Sequence, residues 1–144
     1  MEKKNSVLIV DDEVVNIRLL SNILGPEYRL FAVTNGRDAV KAAEERSPDI
    51  ILLDVIMPDM DGYAVIAALK GSEKTEGIPV IFISGLGEAP DEERGFECGA
   101  ADYVSKPFSP AVVKHRVRNQ ARFINMRREL EAALSAARDA PQSP

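Results

Sequence analysis

The chain has 144 residues, a length that suits one domain with a full hydrophobic core. Its net charge of −5 argues against a broad nucleic-acid-binding face. His115 and Cys98 are the only residues of their types, which excludes an internal disulfide and a metal site built from several His or Cys side chains. No apolar stretch approaches the roughly 20 residues of a membrane helix, and the N-terminus lacks the pattern of a signal peptide. A single cysteine fits a reducing compartment, so we expect a cytoplasmic protein.

Five short apolar runs predict β-strands. They are rich in Val, Ile and aromatic residues, and they cover residues 6–10, 28–33, 49–53, 78–84 and 102–105. The first, third and fourth runs are apolar without alternation. That pattern is expected of strands covered on both faces in a parallel sheet.

Between these runs lie segments with the apolar spacing of helices. The first places four apolar residues on one face, Val14, Ile17, Leu20 and Leu24, and ends at Gly25-Pro26. The second places Ala39, Val40 and Ala43 on one face, and residues 62–71 and 91–100 are further candidates. Strands joined by helix-length connections predict an α/β fold, a doubly wound (βα)5 unit with a parallel five-stranded sheet.

Four of the five predicted strands end in polar groups. Asp11-Asp12 follow the first strand and Asp54 the third, Ser84 ends the fourth, and Lys106-Pro107 follow the fifth. Because the carboxyl ends of parallel strands meet at one edge of a sheet, we expect these side chains to lie close together.

Such an edge has a definite chemistry. Two carboxylates about 4 Å apart repel by on the order of 4 kcal/mol at an effective dielectric of about 20. Protonation of one carboxylate or a bound divalent cation would relieve that repulsion, and a set of oxygen ligands favours Mg²⁺ (or Mn²⁺). The Lys106 ammonium and the Ser84 hydroxyl suit the oxygens of a phosphoryl group in transfer. A carboxylate can itself act as the nucleophile and form an aspartyl phosphate.

The segments that carry these residues resemble a known family. The motifs "VLIVDDE", "LLDVIMPDMDG", "VIFISG" and "GADYVSKPF" are similar, in order and spacing, to those of the receiver domains of bacterial two-component response regulators. The resemblance covers residues 5–124. It implies a flavodoxin-like sheet with strand order 2-1-3-4-5, followed here by an extended C-terminal helix.

The resemblance implies a role for each acidic residue. Asp54 is the expected phosphoacceptor, which attacks a phosphohistidine on a partner kinase. Asp12 and Asp54 are expected to ligate Mg²⁺ directly, together with the backbone carbonyl of Ile56. Asp11 is expected to act mostly through bound water.

The resemblance also implies roles on the fourth and fifth strands. Ser84 is expected to hydrogen-bond the phosphoryl group, and Lys106 to pair with one of its oxygens. The Lys106-Pro107 peptide bond is expected to be cis. Tyr103 is the expected switch residue, an aromatic side chain that turns inward when Ser84 moves.

Other interpretations of the same residues remain open. Asp11 and Asp12 could instead cap the first helix, and Asp59 and Asp61 are typical turn residues. A degenerate receiver would bind partners without phosphorylation. A dehalogenase-type aspartyl phosphatase is a further alternative, but that class carries a second aspartate two residues after the nucleophile, where this chain has Ile56.

The last pattern predicts one long helix from Ser109 to Ala140, with Ser109 as N-cap and Pro110 in the first turn. Its first half carries an apolar face, Val113, Val117, Ala121 and Ile124, and its second half continues with Phe123, Leu130, Leu134 and Ala137. We interpret residues 125–140 as an extension of the 5–124 domain and residues 141–144 as a flexible tail. The extension is either a solvated tail or a signalling helix that pairs with a second protomer or leads to an output domain.

The sequence therefore predicts a signalling module rather than a metabolic enzyme. Its expected partner is a histidine kinase or a phosphotransfer protein, with no direct contact to nucleic acid or membrane. Phosphorylation is expected to alter the face formed by the fourth helix, the fifth strand and the fifth helix. This change is expected to control either homodimer formation or output. The segment after Ser109 also resembles the linker of regulators that carry a cyclic-dinucleotide enzyme domain.

Overall fold

A five-stranded parallel sheet forms the centre of the protein. A computed structural model describes residues 4–85, 94 and 96–140. In chain order, the strands are β1 (Ser6–Val10), β2 (Arg29–Val33), β3 (Ile50–Asp54), β4 (Val80–Ser84) and β5 (Asp102–Ser105). They pair in the order β2-β1-β3-β4-β5, and every neighbouring pair is parallel. The predicted fold class and strand order are confirmed.

Helices cover both faces of the sheet. They are α1 (Val14–Leu24), α2 (Gly36–Arg46), α3 (Gly62–Lys70) and the C-terminal helix (Pro110–Asp139). Of the helix predicted at residues 91–100, residues 91–93 and 95 lie outside the described part of the chain; among the other six, Arg94, Phe96 and Glu97 are helical. The tail predicted at residues 141–144 also lies outside them. Among the described helices, none combines the length and the apolar character needed to cross a membrane.

The alternation of side chains along each strand builds two separate cores. Val7, Ile9, Ile50, Leu52, Ile81 and Ile83 pack against α1 and the C-terminal helix. The intervening residues pack against α2 and α3; they are Leu8, Val10, Ile51, Leu53, Val80 and Phe82. Since successive residues of a strand point to opposite faces, this arrangement requires apolar runs without alternation, as the sequence has.

Several predicted boundaries shift by one or two residues. β2 begins at Arg29 because the Tyr28 amide donates to Leu24 O (3.1 Å) in the turn after α1. β3 extends to Asp54, which is therefore part of the strand. Val14 was predicted on the apolar face of α1 but is 55% exposed, since the helix buries its last two turns, at Leu20 and Leu24.

The C-terminal helix follows the prediction in its first half. The four residues of the predicted apolar face, Val113, Val117, Ala121 and Ile124, are its buried residues. The predicted continuation beyond them is exposed, and the helix passes without a break through residue 124. Ser109 is the N-cap residue but makes no side-chain capping hydrogen bond.

A polar cluster attaches this helix to the amino edge of the sheet. Asn125 and Asn5 exchange side-chain amide hydrogen bonds of 3.1 and 3.2 Å, and Arg128 Nη2 lies 2.5 Å from Asp49 Oδ1. Asp49 Oδ2 also accepts the Ser6 amide at 2.8 Å. Burial raises the pKa of Asp49, but the Ser6 amide and the Arg128 guanidinium outweigh it and hold that pKa below its usual value. We call these five residues the amino-edge clasp.

A glycine sets the distance between α3 and the end of β3. The Gly62 amide donates to Val55 O at 2.7 Å. A Cβ atom on Gly62 would lie 2.7 Å from Asp54 O and 2.8 Å from Val55 Cα, both backbone atoms that cannot move aside alone. Residue 62 must therefore be glycine if Asp54 is to keep its position under the start of α3.

We predict that Gly62→Ala lowers the free energy of unfolding by roughly 1–3 kcal/mol, because the added methyl group overpacks against backbone. Urea denaturation followed by circular dichroism measures the change. Gly77→Ala is the matched control, because nothing lies within 4 Å of its added Cβ. Equal stability of Gly62→Ala and Gly77→Ala would contradict the prediction.

Candidate functional site

Three predicted site residues share one face at the carboxyl edge of the sheet. Each lies two positions beyond a strand residue buried under α1 and the C-terminal helix; the pairs are Asp11 after Ile9, Asp54 after Leu52 and Lys106 after Val104. Because side chains alternate with a period of two, the three polar groups point to the same side. Their convergence is thus a consequence of the parallel register.

Lys106 lies between two buried carboxylates. Its Nζ is 3.3 Å from Asp54 Oδ2 and 3.6 Å from Asp11 Oδ2. The Lys106 amide donates to Ser84 O at 2.6 Å, which fixes the loop after β5 to the end of β4. The Lys106-Pro107 peptide bond is cis, as the sequence predicted.

The three aspartates form a compact set of oxygen ligands. Carboxylate oxygens of Asp11, Asp12 and Asp54 all lie within 4.8 Å of one another. Asp11 and Asp54 are 1% and 4% exposed, whereas Asp12 is exposed. Asp11 Oδ1 accepts the Glu13 amide at 2.9 Å, but Asp11 Oδ2 is buried without a hydrogen-bond partner in the described part of the chain. A cation at this edge would satisfy that oxygen, so the donor set fits Mg²⁺.

The helix-capping interpretation of the first two aspartates is wrong. The N-cap of α1 is Glu13, which makes no side-chain capping hydrogen bond. By contrast, Asp61, predicted as a turn residue, is the N-cap of α3 and accepts the Ala64 amide at 2.9 Å. An aspartate directly before a helical pattern is an N-cap signal that could have indicated this role.

The electrostatics of the edge are unbalanced. Burial, and then repulsion from Asp11, raises the pKa of Asp54 to about 6, although Lys106 opposes the shift. Burial disfavours the charged form of Lys106, but the carboxylates of Asp54 and Asp11 outweigh it and raise its pKa. One ammonium therefore faces three carboxylates, and the surplus negative charge favours a bound cation.

The predicted switch residues are in direct contact. Ser84 is 1% exposed at the end of β4, and its hydroxyl is hydrogen-bonded to the hydroxyl of Tyr103 on β5. Ser84 lies two residues beyond Phe82 and so faces the α2 and α3 side, away from the face of Asp54. Ile56 donates its amide to Asp54 Oδ1 at 3.3 Å, and its role as a carbonyl ligand stays a prediction.

An apolar rim beside the carboxylates was not predicted from the sequence. It consists of exposed side chains at the start of α1 and after β3: Val14, Val15, Leu19 and Ile56. Of these four residues, the helical spacing predicts burial only for Val14, which is exposed instead. Val14 follows Asp12 by two positions and Ile56 follows Asp54 by two, so these two members of the group are near the acidic set in the sequence.

Fold and site together define a doubly wound α/β domain with an acidic, lysine-containing edge. The family model for the response regulator receiver domain matches residues 7–118. The chain belongs to this family. It is a receiver domain of two-component response regulators, a signalling module whose members bind Mg²⁺ at an acidic pocket and interact with histidine kinases or phosphotransfer proteins.

Individual relatives agree with this assignment. A protein named "Probable cyclic di-GMP phosphodiesterase" from Vibrio cholerae is 45% identical over 112 residues, which cover 78% of this chain and 25% of the relative. Response regulator PleD from Caulobacter vibrioides is 42% identical over 118 residues, 81% of this chain and 26% of PleD. The chain thus spans about a quarter of either relative.

A solved structure shows the same fold with a metal. It is the receiver domain of a sensor histidine kinase from Pseudomonas aeruginosa, with a magnesium ion coordinated in the active site cleft. The two chains share 28% sequence identity and a TM-score of 0.75, and the match covers 82% of this chain and 98% of the other.

We predict that Asp54→Asn raises the free energy of unfolding of the metal-free protein at pH 7, by up to about 3 kcal/mol for a pKa raised by about two units. The folded state holds the Asp54 proton more tightly than the unfolded state, so wild type loses this stability as the pH rises from about 4 to about 6. The gain of the variant should therefore grow over that window. Urea titrations in EDTA at several pH values measure it.

Exposed Asp59→Asn is the control for this measurement, since it removes the same charge outside the cluster. A gain for Asp54→Asn that is already complete at pH 4, or equal to that of Asp59→Asn, would rule out burial and repulsion as its cause.

Proposed function

We propose that this chain accepts a phosphoryl group on Asp54 from the phosphohistidine of a histidine kinase or phosphotransfer protein. The observation that carries the proposal is the position of Asp54: a buried carboxylate at a strand end, beside a lysine and two further carboxylates. An unpaired charge at the end of an apolar strand is costly, and this surrounding supports a chemical rather than a structural role.

The residues present support nucleophilic transfer. An Asp54 carboxylate oxygen attacks the phosphorus, the P–N bond of the phosphohistidine breaks, and the imidazole leaves. With a pKa of about 6, Asp54 is mostly ionised at neutral pH and so available as the nucleophile. The Lys106 ammonium, 3.3 Å from Asp54 Oδ2, is placed to pair with a phosphoryl oxygen.

Mg²⁺ (or Mn²⁺) is the proposed cofactor. Asp12, Asp54 and the backbone carbonyl of Ile56 would hold it directly, with Asp11 acting mostly through bound water. When bound, the cation neutralises charge on the carboxylates and on the incoming phosphoryl oxygens. The buried Asp11 Oδ2, which has no hydrogen-bond partner among the described residues, supports this assignment.

The contact between Ser84 and Tyr103 suggests how the modification is read out. Ser84 faces away from Asp54 in this structure, so to donate to a phosphoryl oxygen on Asp54 it would have to turn from Tyr103 toward that carboxylate, and the hydrogen bond between the two hydroxyls would be lost. Tyr103 lies on β5, an edge strand beside the C-terminal helix. We therefore propose that phosphorylation biases the face of the fourth predicted helix, β5 and the C-terminal helix between two arrangements.

Partners and location follow from the same features. The phosphoryl donor would dock on the apolar rim, and a homodimer would form through the face that includes β5 or through the C-terminal helix. The relative named as a probable cyclic di-GMP phosphodiesterase suggests an output of the cyclic-dinucleotide type. We propose that the protein acts in the cytoplasm, without direct binding to nucleic acid or membrane.

We predict that the protein with Mg²⁺ and acetyl phosphate, or with a cognate kinase, gains one phosphoryl group, detected by intact mass. The bond is an acyl phosphate and should be cleaved by base or hydroxylamine. Asp54→Asn should gain none, and Asp59→Asn should behave as wild type. An unmodified wild type would indicate a degenerate receiver, and modification of Asp54→Asn would place the phosphoryl group elsewhere.

We predict that Asp12→Asn weakens Mg²⁺ binding by at least about tenfold while leaving the fold intact, because Asp12 is an exposed member of the carboxylate set. Isothermal titration calorimetry measures the affinity, and circular dichroism checks the fold. Asp59→Asn again serves as the charge-matched control. Equal affinities for wild type and Asp12→Asn would remove Asp12 from the metal site.

A further inference from the structure

The second half of the C-terminal helix carries an exposed apolar stripe. Side chains there that a folded surface would normally bury are 54–67% exposed: Phe123, Met126, Leu130 and Leu134. Ala137 follows at the same spacing and is also exposed. We call these five residues the exposed seam. They recur every three or four positions, as in helices that pair with another helix.

The seam points away from the domain. At about 100° per residue, its centre lies roughly 145° around the helix from the buried face of Val117, Ala121 and Ile124. The amino-edge clasp holds Asn125 and Arg128 on the domain side of the helix, which fixes this orientation. A second helix can therefore reach the seam without meeting the domain.

We propose that the exposed seam pairs with the seam of a second copy of this chain, with the two helices antiparallel. The seam is symmetric about Leu130. Phe123 and Ala137 lie seven positions to either side of it, and Met126 and Leu134 lie four. In an antiparallel pair centred on Leu130, Phe123 faces Ala137 of the partner subunit and Met126 faces Leu134 of the partner subunit. The large Phe123 then packs against the small Ala137 of the partner subunit at each end of the interface, which favours close packing.

Charge supports the same direction. Residues 114–128 contain six Lys or Arg and no acid, whereas residues 129–139 contain three acids and one Arg. In the pairing centred on Leu130, residues 129–139 of one helix, with three acids and one Arg, lie beside residues 121–131 of the other, which contain three Arg and two Glu. Arg127 and Glu131, which already lie 4.0 Å apart along one flank of the helix, would each meet the opposite member of that pair on the partner subunit.

A parallel pair in register is less favourable on the same criteria. It would stack Phe123 on Phe123 of the partner subunit and leave Ala137 opposite another alanine. It would also place Arg122 beside Arg127 of the partner subunit, a contact between like charges. The sequence of this helix therefore distinguishes the two directions.

The expected dimer is closed and weak. The antiparallel arrangement has two-fold symmetry, so both copies use the same surface and no third copy can add to the pair through it. The seam spans about 21 Å from Phe123 to Ala137, which is short for an interface. We therefore expect dimers that form at high protein concentration. The inference deepens the homodimer part of the proposed function and needs no phosphoryl transfer.

Disulfide cross-linking tests the direction of pairing. In a Cys98→Ser background, Phe123→Cys and Ala137→Cys proteins, one carrying a size tag, are mixed and oxidised. We expect the unlike pair to cross-link several-fold faster than either protein with itself. Leu130→Cys should cross-link with itself in either direction and shows that the seams meet. Ser135→Cys, exposed on the domain side of the helix, reports random collisions. Faster self-linking of the two end variants, or rates equal to that of Ser135→Cys, would overturn the inference.

Sedimentation tests the interface without introduced cysteines. The Asp54→Asn protein, whose C-terminal helix is unchanged, should dimerise as its concentration rises. Adding Leu130→Glu should keep it monomeric, whereas adding Ser135→Glu should leave dimerisation unchanged. A wild-type helix that stays monomeric, or a Leu130→Glu protein that dimerises equally, would also overturn the inference. Phosphorylation of the wild-type chain is measured separately. A failure of helix pairing therefore leaves the phosphoacceptor proposal intact, and a failure of phosphorylation leaves the pairing proposal intact.

Discussion

The Lys106 ammonium between the carboxylates of Asp54 and Asp11 is the interaction on which the rest of the site depends. Two carboxylates almost without exposure cannot remain charged beside an apolar core unless a cation accompanies them. Lys106 can serve both because parallel strands end at one edge and because all three residues continue the same face. The hydrogen bond from the Lys106 amide to Ser84 O holds it there.

One lysine does not balance three aspartates, and the imbalance has a direction. Burial, and then repulsion from Asp11, raises the pKa of Asp54, and Asp11 Oδ2 has no hydrogen bond in the described structure. The charged Asp54 thus lowers the free energy of unfolding of the metal-free protein, and Asp54 is also the residue at which the chemistry is proposed to occur. Such a conflict between local stability and function is expected where a site must receive a charged ligand.

Much of this could be predicted from the sequence, for identifiable reasons. Continuous apolar runs indicated a parallel sheet, and the polar residues that end those runs, such as Asp54 and Lys106, then had to meet at one edge. The features that the sequence did not indicate depend on contacts between residues that are distant in the chain. Asp49 and Arg128 are 79 positions apart, and no local pattern marks either of them. Val14 follows helical spacing yet is exposed, because periodicity shows which residues share a face but not how far along that face the sheet extends.

The amino-edge clasp has a mechanical consequence. Asn5 and Ser6 lie at the start of β1, and Asp49 directly precedes β3, so the C-terminal helix is attached to those two strands. The opposite ends of the same strands carry Asp11 and Asp54, about 16 Å away along five residues. A torque applied to the far end of the helix would therefore act on the two strands that end in the nucleophile and its acidic neighbour.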